Sequence, residues 1–385
     1  MDVMARVRSG LVAVVVLGSM GWAPAAGAGA RPDPVASPRG LTGMEPIASE
    51  FDVMTRLQKS WGHGKAAKDN GKDVVGAFRM LCGAGVIKDV DNIVAFGRRS
   101  PHTHQIAGNE GTTATSTYRD LRTSGSSSCG NEANRTNYWM PVLLNGRGEY
   151  VQPDYLLLYY KRRPASDPKC QGFNDAVQAQ GKCVPLPNGL RMIAGYDFAT
   201  GKAEGLHFNC AGGPDTKNKR NLEELQATCP ANKQFIATVT FPSCWDGENL
   251  DSADHRSHMA YPGYGSRGWL KCPSSHPYVI PTLEQKYAFS QAPGEVYSYA
   301  SDAQVPGAKR GETGHGDFFE AWDPVAKQMW EDNCLNKRLN CSGGDLGNGW
   351  QIKGADKPRY GWKNPRRLVR MTEAQPEQGH SAHGH

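Results

Sequence analysis

The chain contains no C-x-x-C pair, no H-E-x-x-H and no G-x-S-x-G. The first absence argues against a zinc ribbon, the second removes the helix-borne zinc peptidase motif, and the third removes the serine nucleophile elbow. Beyond the N-terminus no apolar run approaches the roughly 20 residues that a membrane-spanning helix needs. Helix signals are sparse and no internal repeat is visible. Hydrophobic residues make up only 38% of the 385 residues, whereas 45 glycines and 25 prolines supply turns. That balance disfavours a helical bundle. The expected fold is mainly β: a single disulfide-rich antiparallel sandwich or jelly-roll-like domain with long loops and few short helices.

At the N-terminus, Arg6 and Arg8 precede an apolar run from Leu11 to Trp22 and a small-residue stretch ending at Ala30. This is the pattern of a secretory signal over residues 1–30, cleaved after Ala28 or Ala30. The apolar run is too short for a membrane anchor, and secretion to the extracellular space is expected. A Pro/Ala/Gly-rich linker at 31–46 leads to a domain at 47–352. The formal charge of +6 is concentrated in the tail, 353–385, where seven Lys/Arg face three Asp/Glu. With its prolines and terminal HSAHGH, this tail reads as disordered; it offers an anionic wall polymer or membrane surface an electrostatic handle, but a solvated tail is the plainer reading. Nothing resembles a nucleic-acid-binding module.

Ten cysteines in an exported chain imply an oxidised framework. Spacing does not determine connectivity, although Cys170 with Cys183, Cys210 with Cys229, Cys244 with Cys272 and Cys334 with Cys341 would close short loops, leaving Cys82 and Cys129 as the fifth pair. Strands are expected at 89–96, 150–160, 190–194 and 234–241, where β-branched and aromatic residues lie between turn formers. Short helices are expected at 50–59, 221–226 and 324–334, the last opening on Pro324.

Candidate chemistry concentrates in polar motifs. His102 and His104 are two apart, so in an extended chain both imidazoles share a face, an arrangement suited to two metal ligands or to a ligand and a proton carrier. His255 and His258 are three apart and share a side of a helical turn, with Asp251 and Asp254 within reach. His276, His315 and Asp317 add further imidazole and carboxylate groups. One reading has a divalent metal as cofactor, with ligands drawn from His102, His104, His255, His258, His276 and His315. A second is metal-free acid/base catalysis by His102, His104, Asp254, His255 and Asp317. A third is structural, with these side chains capping loops and satisfying buried backbone groups. Arg99 is a candidate carboxylate clamp, and Trp245, Asp246 and Tyr261 are candidate substrate contacts, since flat rings stack on sugar faces while polar groups hold hydroxyls. Trp139, flanked by Tyr138 and Met140, reads as core.

Six ordered motifs, SPHTHQIAG (100–108), TNYWMPVL (136–143), GLRMIAG (189–195), FPSCWDGENLDSADHRSHMAYP (241–262), CPSSHPYVIP (272–281) and GHGDFFEAWD (314–323), resemble the secreted family known as domain of unknown function 1996 over roughly Glu50 to Cys341. The resemblance implies export and brings no reaction with it. The residues point to an extracellular glycan as partner and to a polysaccharide hydrolase or lyase; the alternatives are a non-catalytic wall-associated glycan binder and a metal-binding surface protein.

Overall fold

The computed structural model describes residues 40–61, 75–213, 215–265, 270–356 and 368–370. The expected signal peptide, most of the linker, Trp269 and the terminal HSAHGH lie outside them. Two antiparallel sheets dominate. Their strands are β1 (Gly76–Cys82), β2 (Val86–Lys88), β3 (His104–Ala107), β4 (Asn137–Pro141), β5 (Tyr155–Arg162), β6 (Arg191–Asp197), β7 (Lys202–Glu204), β8 (Leu206–Ala211), β9 (Gln234–Thr240), β10 (Thr282–Ser290) and β11 (His315–Phe319). One sheet has the order β8-β9-β10-β5-β1 and the other β7-β6-β11-β4-β3-β2.

The period of two in these strands builds a sandwich. Along β5, buried and half-buried positions alternate without exception. Phe78 and Met80 of β1, Leu156, Leu158 and Tyr160 of β5, Ala237 and Val239 of β9, and Leu283 and Tyr287 of β10 share one core cluster with Tyr138 and Met140 of β4, Met192 and Ala194 of β6, and Phe318 of β11. Each such large apolar side chain contributes roughly 1.5–3 kcal/mol when fully buried. Polar ties join the layers as well: Gln285 Nε2 donates to the Asp317 carbonyl at 2.8 Å, and the Tyr138 and Tyr160 hydroxyls meet at 2.6 Å. Gly316 makes the close approach possible, because a Cβ there would lie 3.1 Å from the Val239 side chain and 3.2 Å from Gln285 Oε1.

The opposite face of the six-stranded sheet carries the alternate residues. Pairing aligns Ile106 with Trp139, Trp139 with Asp317, and Asp317 with Ile193 across four strands. Val90, Ile93, Ala114, Tyr118 and Leu121 fold over this face and close a second core with Ile106, Trp139, Ile193 and Phe319. Tyr118–Thr123 forms a short helix whose Thr117 N-cap and Asp120 make a reciprocal capping box.

Two expectations are corrected. Residues 89–96 form turns, not a strand: Asp91 Oδ1 accepts from both the Ile93 and Val94 amides at 2.9 Å, offering the backbone an alternative to a ladder. Residues 50–59 contain a single 3-10 turn, Val53–Arg56, followed by strand Leu57–Lys59, which pairs with Trp350–Ile352. Within the expected disordered tail, Leu368–Arg370 pairs with Glu149–Val151, the apolar Val369 packing beside Val142 and Tyr150. The other two helices form as Leu222–Gln226 and Pro324–Trp330, the latter running into a π-helical turn.

All ten cysteines are bridged: Cys82–Cys129, Cys170–Cys183, Cys210–Cys229, Cys244–Cys272 and Cys334–Cys341. Among the described residues no helix is long and apolar enough to cross a membrane.

Candidate functional site

The cover over the outer face of the six-stranded sheet stops short of the end that carries His315 and Asp317. There a cleft of about 630 Å³ opens, with His102, Asp254, His255, His315 and Asp317 in its walls together with Asp91, Ile193, Tyr196, Asp197, Phe198, Arg256 and Gln304. Five residues chosen from sequence therefore come from three distant segments to one cavity. His104 stands directly behind them: the His102 and His104 rings are 4.3 Å apart and the His102 and His315 rings 5.1 Å apart. The shared face of the H-x-H pair is the period of two at work.

Each imidazole has a distinct bonding pattern. His104 Nδ1 donates to the Val90 carbonyl at 2.9 Å, which leaves Nε2 as its lone-pair nitrogen, and that atom is buried without a hydrogen-bond partner. His315 Nδ1 donates to the Thr313 carbonyl at 3.0 Å, so its Nε2 also carries a lone pair. His102 Nε2 lies 3.3 Å from His315 Nε2, and its Nδ1 is 2.9 Å from the Gln304 amide nitrogen. Burial holds all three in the uncharged form. It pulls His102 down to about 4 and His315 to about 3, the latter with help from His102, and it drives His104 well below the usual histidine range. Among the described residues these three are the group whose potential metal-ligand atoms converge, all within 4.8 Å of one another.

Two aspartates in the cleft are pushed in opposite directions. Burial, reinforced by the charge of Asp91, raises Asp317 well above the ordinary carboxylate range, and its Oδ2, 3.8 Å from His315 Nε2, has no hydrogen-bond partner. Asp254 is exposed. Desolvation pushes it up, but the Ser252 and Ser257 hydroxyls and the Arg256 and Ser257 amides all donate to its Oδ1 and hold it well below that range. The two carboxyls are thus driven apart in proton affinity, Asp317 upward and Asp254 downward, the kind of division that separates an acid from a base.

The remaining sequence candidates lie elsewhere. His258 is buried with Nδ1 2.9 Å from the Ser252 hydroxyl and Nε2 2.7 Å from the Arg191 carbonyl, so both nitrogens are spent on the loop. His276 bonds Ser275 and the Ser257 carbonyl outside the cleft. Arg99 clamps a carboxylate, but it is that of Asp89, at 2.6 Å on the surface. Trp245 is fully buried, its Nε1 donating to the Asn249 carbonyl at 2.6 Å, and offers no face for stacking. Asp246 caps the Glu248 and Asn249 amides. The Tyr261 hydroxyl donates to the Thr240 carbonyl at 2.7 Å, beside a separate hollow with Tyr264 and Leu270.

An exposed ring does face the cleft, that of Phe198, 44% exposed at the turn after β6 and 5.6 Å from the His315 ring. Sequence reasoning missed it because a single exposed aromatic in a short turn has no periodic signature. It also missed Arg256, whose guanidinium donates to the Tyr196 carbonyl at 2.8 Å and the Ile193 carbonyl at 3.4 Å, and Asp91, which turn chemistry alone explains.

A family model described as "Domain of unknown function (DUF1996)" matches residues 91–322, which include every residue of this cleft. No curated protein and no solved structure matches the chain.

Proposed function

The chain belongs to the DUF1996 family, and from that premise we propose that its cleft is the active site of an exported enzyme that hydrolyses a neutral polysaccharide. The observation that carries this reading is the pair of aspartates whose proton affinities are pushed in opposite directions within one cavity that also contains uncharged histidines. Asp317 is the proton donor to the departing glycosidic oxygen, and Asp254 or a neutral histidine accepts the proton of the attacking water. Phe198, with Pro101, Val305 and Pro306, supplies an apolar wall for a sugar face.

Electrostatics favour hydrolysis over lyase chemistry. A lyase abstracts a proton beside a uronate carboxylate and needs a cation to hold that carboxylate. Arg256 is the one Lys or Arg among the described lining residues, and its guanidinium is bonded to two backbone carbonyls. Asp91, Asp197, Asp254 and Asp317 line the same cleft. A neutral chain fits such a surface better than an anionic one.

The test is incubation of the cleaved, secreted protein with insoluble and soluble neutral polysaccharides, with new reducing ends as the readout and Asp317→Asn as control. Release of reducing ends by the wild type and not by the variant supports the reading. Retention on the glycan without any new ends makes the cleft a binding site, and unsaturated products from uronate polymers make it a lyase.

A further inference from the structure

We infer that His102, His104 and His315 bind one divalent ion of the zinc class, with Asp317 beside it and the cleft side of the ion open to water. Metal binding here goes beyond the glycan reading and stands without it, because it rests on the donor atoms alone.

Three observations carry it. Zinc–imidazole bonds of about 2.0–2.1 Å place the nitrogens of a tetrahedral site about 3.3–3.4 Å apart, and His102 Nε2 and His315 Nε2 are separated by 3.3 Å. The widest spacing in the trio, within 4.8 Å, exceeds that edge by no more than about 1.5 Å, and tilting the half-buried His102 ring takes up the difference. Secondly, His104 and His315 each donate Nδ1–H to a backbone carbonyl, which fixes the tautomer and leaves Nε2 as the lone-pair nitrogen of each ring. Such outer hydrogen bonds are what orients imidazole ligands in metal sites. His102 meets the same requirement when the Gln304 amide turns over, presenting oxygen in place of nitrogen to Nδ1, since amide orientation is exchangeable at such a contact.

Thirdly, the ion accounts for atoms that protein contacts leave unsatisfied. A hydrogen bond between His102 and His315 explains one pair, but His104 Nε2 and Asp317 Oδ2 are both buried without partners, and an unsatisfied buried polar group is destabilising. A cation at the centre ligates the first and attracts the second. Three neutral imidazoles with one open position form the donor set of a catalytic zinc site, where a bound water is acidified toward neutral pH. Asp317 lies beside that position, its Oδ2 3.8 Å from His315 Nε2.

The experiment is stoichiometric metal titration of the full chain carrying His380→Gln, His383→Gln and His385→Gln, so that the terminal histidines contribute nothing. Chelator-stripped protein is titrated calorimetrically with zinc alone, and cobalt(II) is used as a spectroscopic probe of geometry. One equivalent should bind, with the intense visible bands of a tetrahedral cobalt site. His102→Gln, which alters the most accessible ligand, and His104→Ala should each weaken binding at least 100-fold, whereas His258→Gln and His276→Gln should leave it unchanged. Absence of a one-equivalent site, or a site that survives both His102→Gln and His104→Ala, overturns the proposal. Because the ion alone is the probe, metal binding without glycan cleavage removes only the polysaccharide reading, and glycan cleavage by a protein that takes up no ion removes only the metal.

Discussion

The histidines at the end of the six-stranded sheet differ from those of the 251–276 loops in what their ring nitrogens bond. His258 and His276 engage both nitrogens with serine hydroxyls and backbone carbonyls, as do residues that hold a loop in shape. His104 and His315 spend only Nδ1 on carbonyls and keep Nε2 free of any backbone bond, within a trio whose ligand atoms converge. His104 and His315 on one side and His258 on the other are all buried, and all three have lowered proton affinity, with burial the leading cause. Burial and titration therefore do not separate architecture from chemistry in this molecule. Hydrogen-bond accounting does, because a buried polar atom with no partner carries a standing cost that a structural role gives no reason to keep. His255 falls between the two groups: its Nδ1 is tied to the buried Asp251 at 2.8 Å, yet it lines the cleft and holds a left-handed backbone at φ 59°, a conformation that costs a non-glycine residue energy.

The largest expected effect that would break this comparison is at Asp317. Asp317→Asn should lower kcat on a cleaved glycan by about 10²- to 10⁴-fold while leaving the unfolding midpoint within a few degrees; a fully active variant would remove the acid role. Next is the loop framework. Replacing both Cys244 and Cys272 with alanine frees a 28-residue separation and should cost about 2–4 kcal/mol in denaturant titration.

The acid limb of stability tests the cleft side directly in chelator-stripped protein. The folded affinity of His315 for protons lies near 3, below the ordinary histidine value of 6.5. Between those pH values the unfolded chain binds the proton that the folded chain refuses, so wild-type stability falls as pH is lowered through that window. Asp317 acts in the opposite sense: its raised affinity adds stability at low pH that is lost as pH rises. His315→Gln removes the first contribution, and its stability relative to wild type should improve by on the order of 3 kcal/mol between pH 6.5 and 4. Parallel curves would show that His315 does not titrate as its burial dictates. On the loop side, His258→Ala should cost about 1–3 kcal/mol through lost buried hydrogen bonds, measured by thermal unfolding, with unchanged metal affinity. His276→Ala, nearer the surface, should shift stability by no more than about 0.5 kcal/mol.

Much of the fold was legible in the chain. The alternation in 234–241 became a strand of the larger core, and so did Tyr155–Arg162 from the run expected at 150–160, whose first residues pair instead in another sheet as Glu149–Val151, because a period of two has no other way to bury one face. The segment 89–96 was misread for the opposite reason: its apolar residues are buried, but Asp91 captures the following amides and folds the backbone into turns. Trp245 shows the same limit for function. Its polar neighbours made it resemble a sugar platform, yet Asp246 is absorbed in capping the loop and the indole closes the core beneath it.

By itself the sequence determined the mainly β class, the oxidised cysteine framework and the shared orientation of His102 and His104, because these follow from periodicity, composition and local spacing. Only the tertiary structure decided which of six candidate histidines meet. His102 and His315 are separated by 213 positions, and their contact depends on the pairing that places β11 beside β4 and β6 and on a glycine that lets the two sheets close. Protonation was decided there too: Asp254 and Asp317 are the same residue type, and only one is buried beside another carboxylate while the other is wrapped in hydrogen-bond donors.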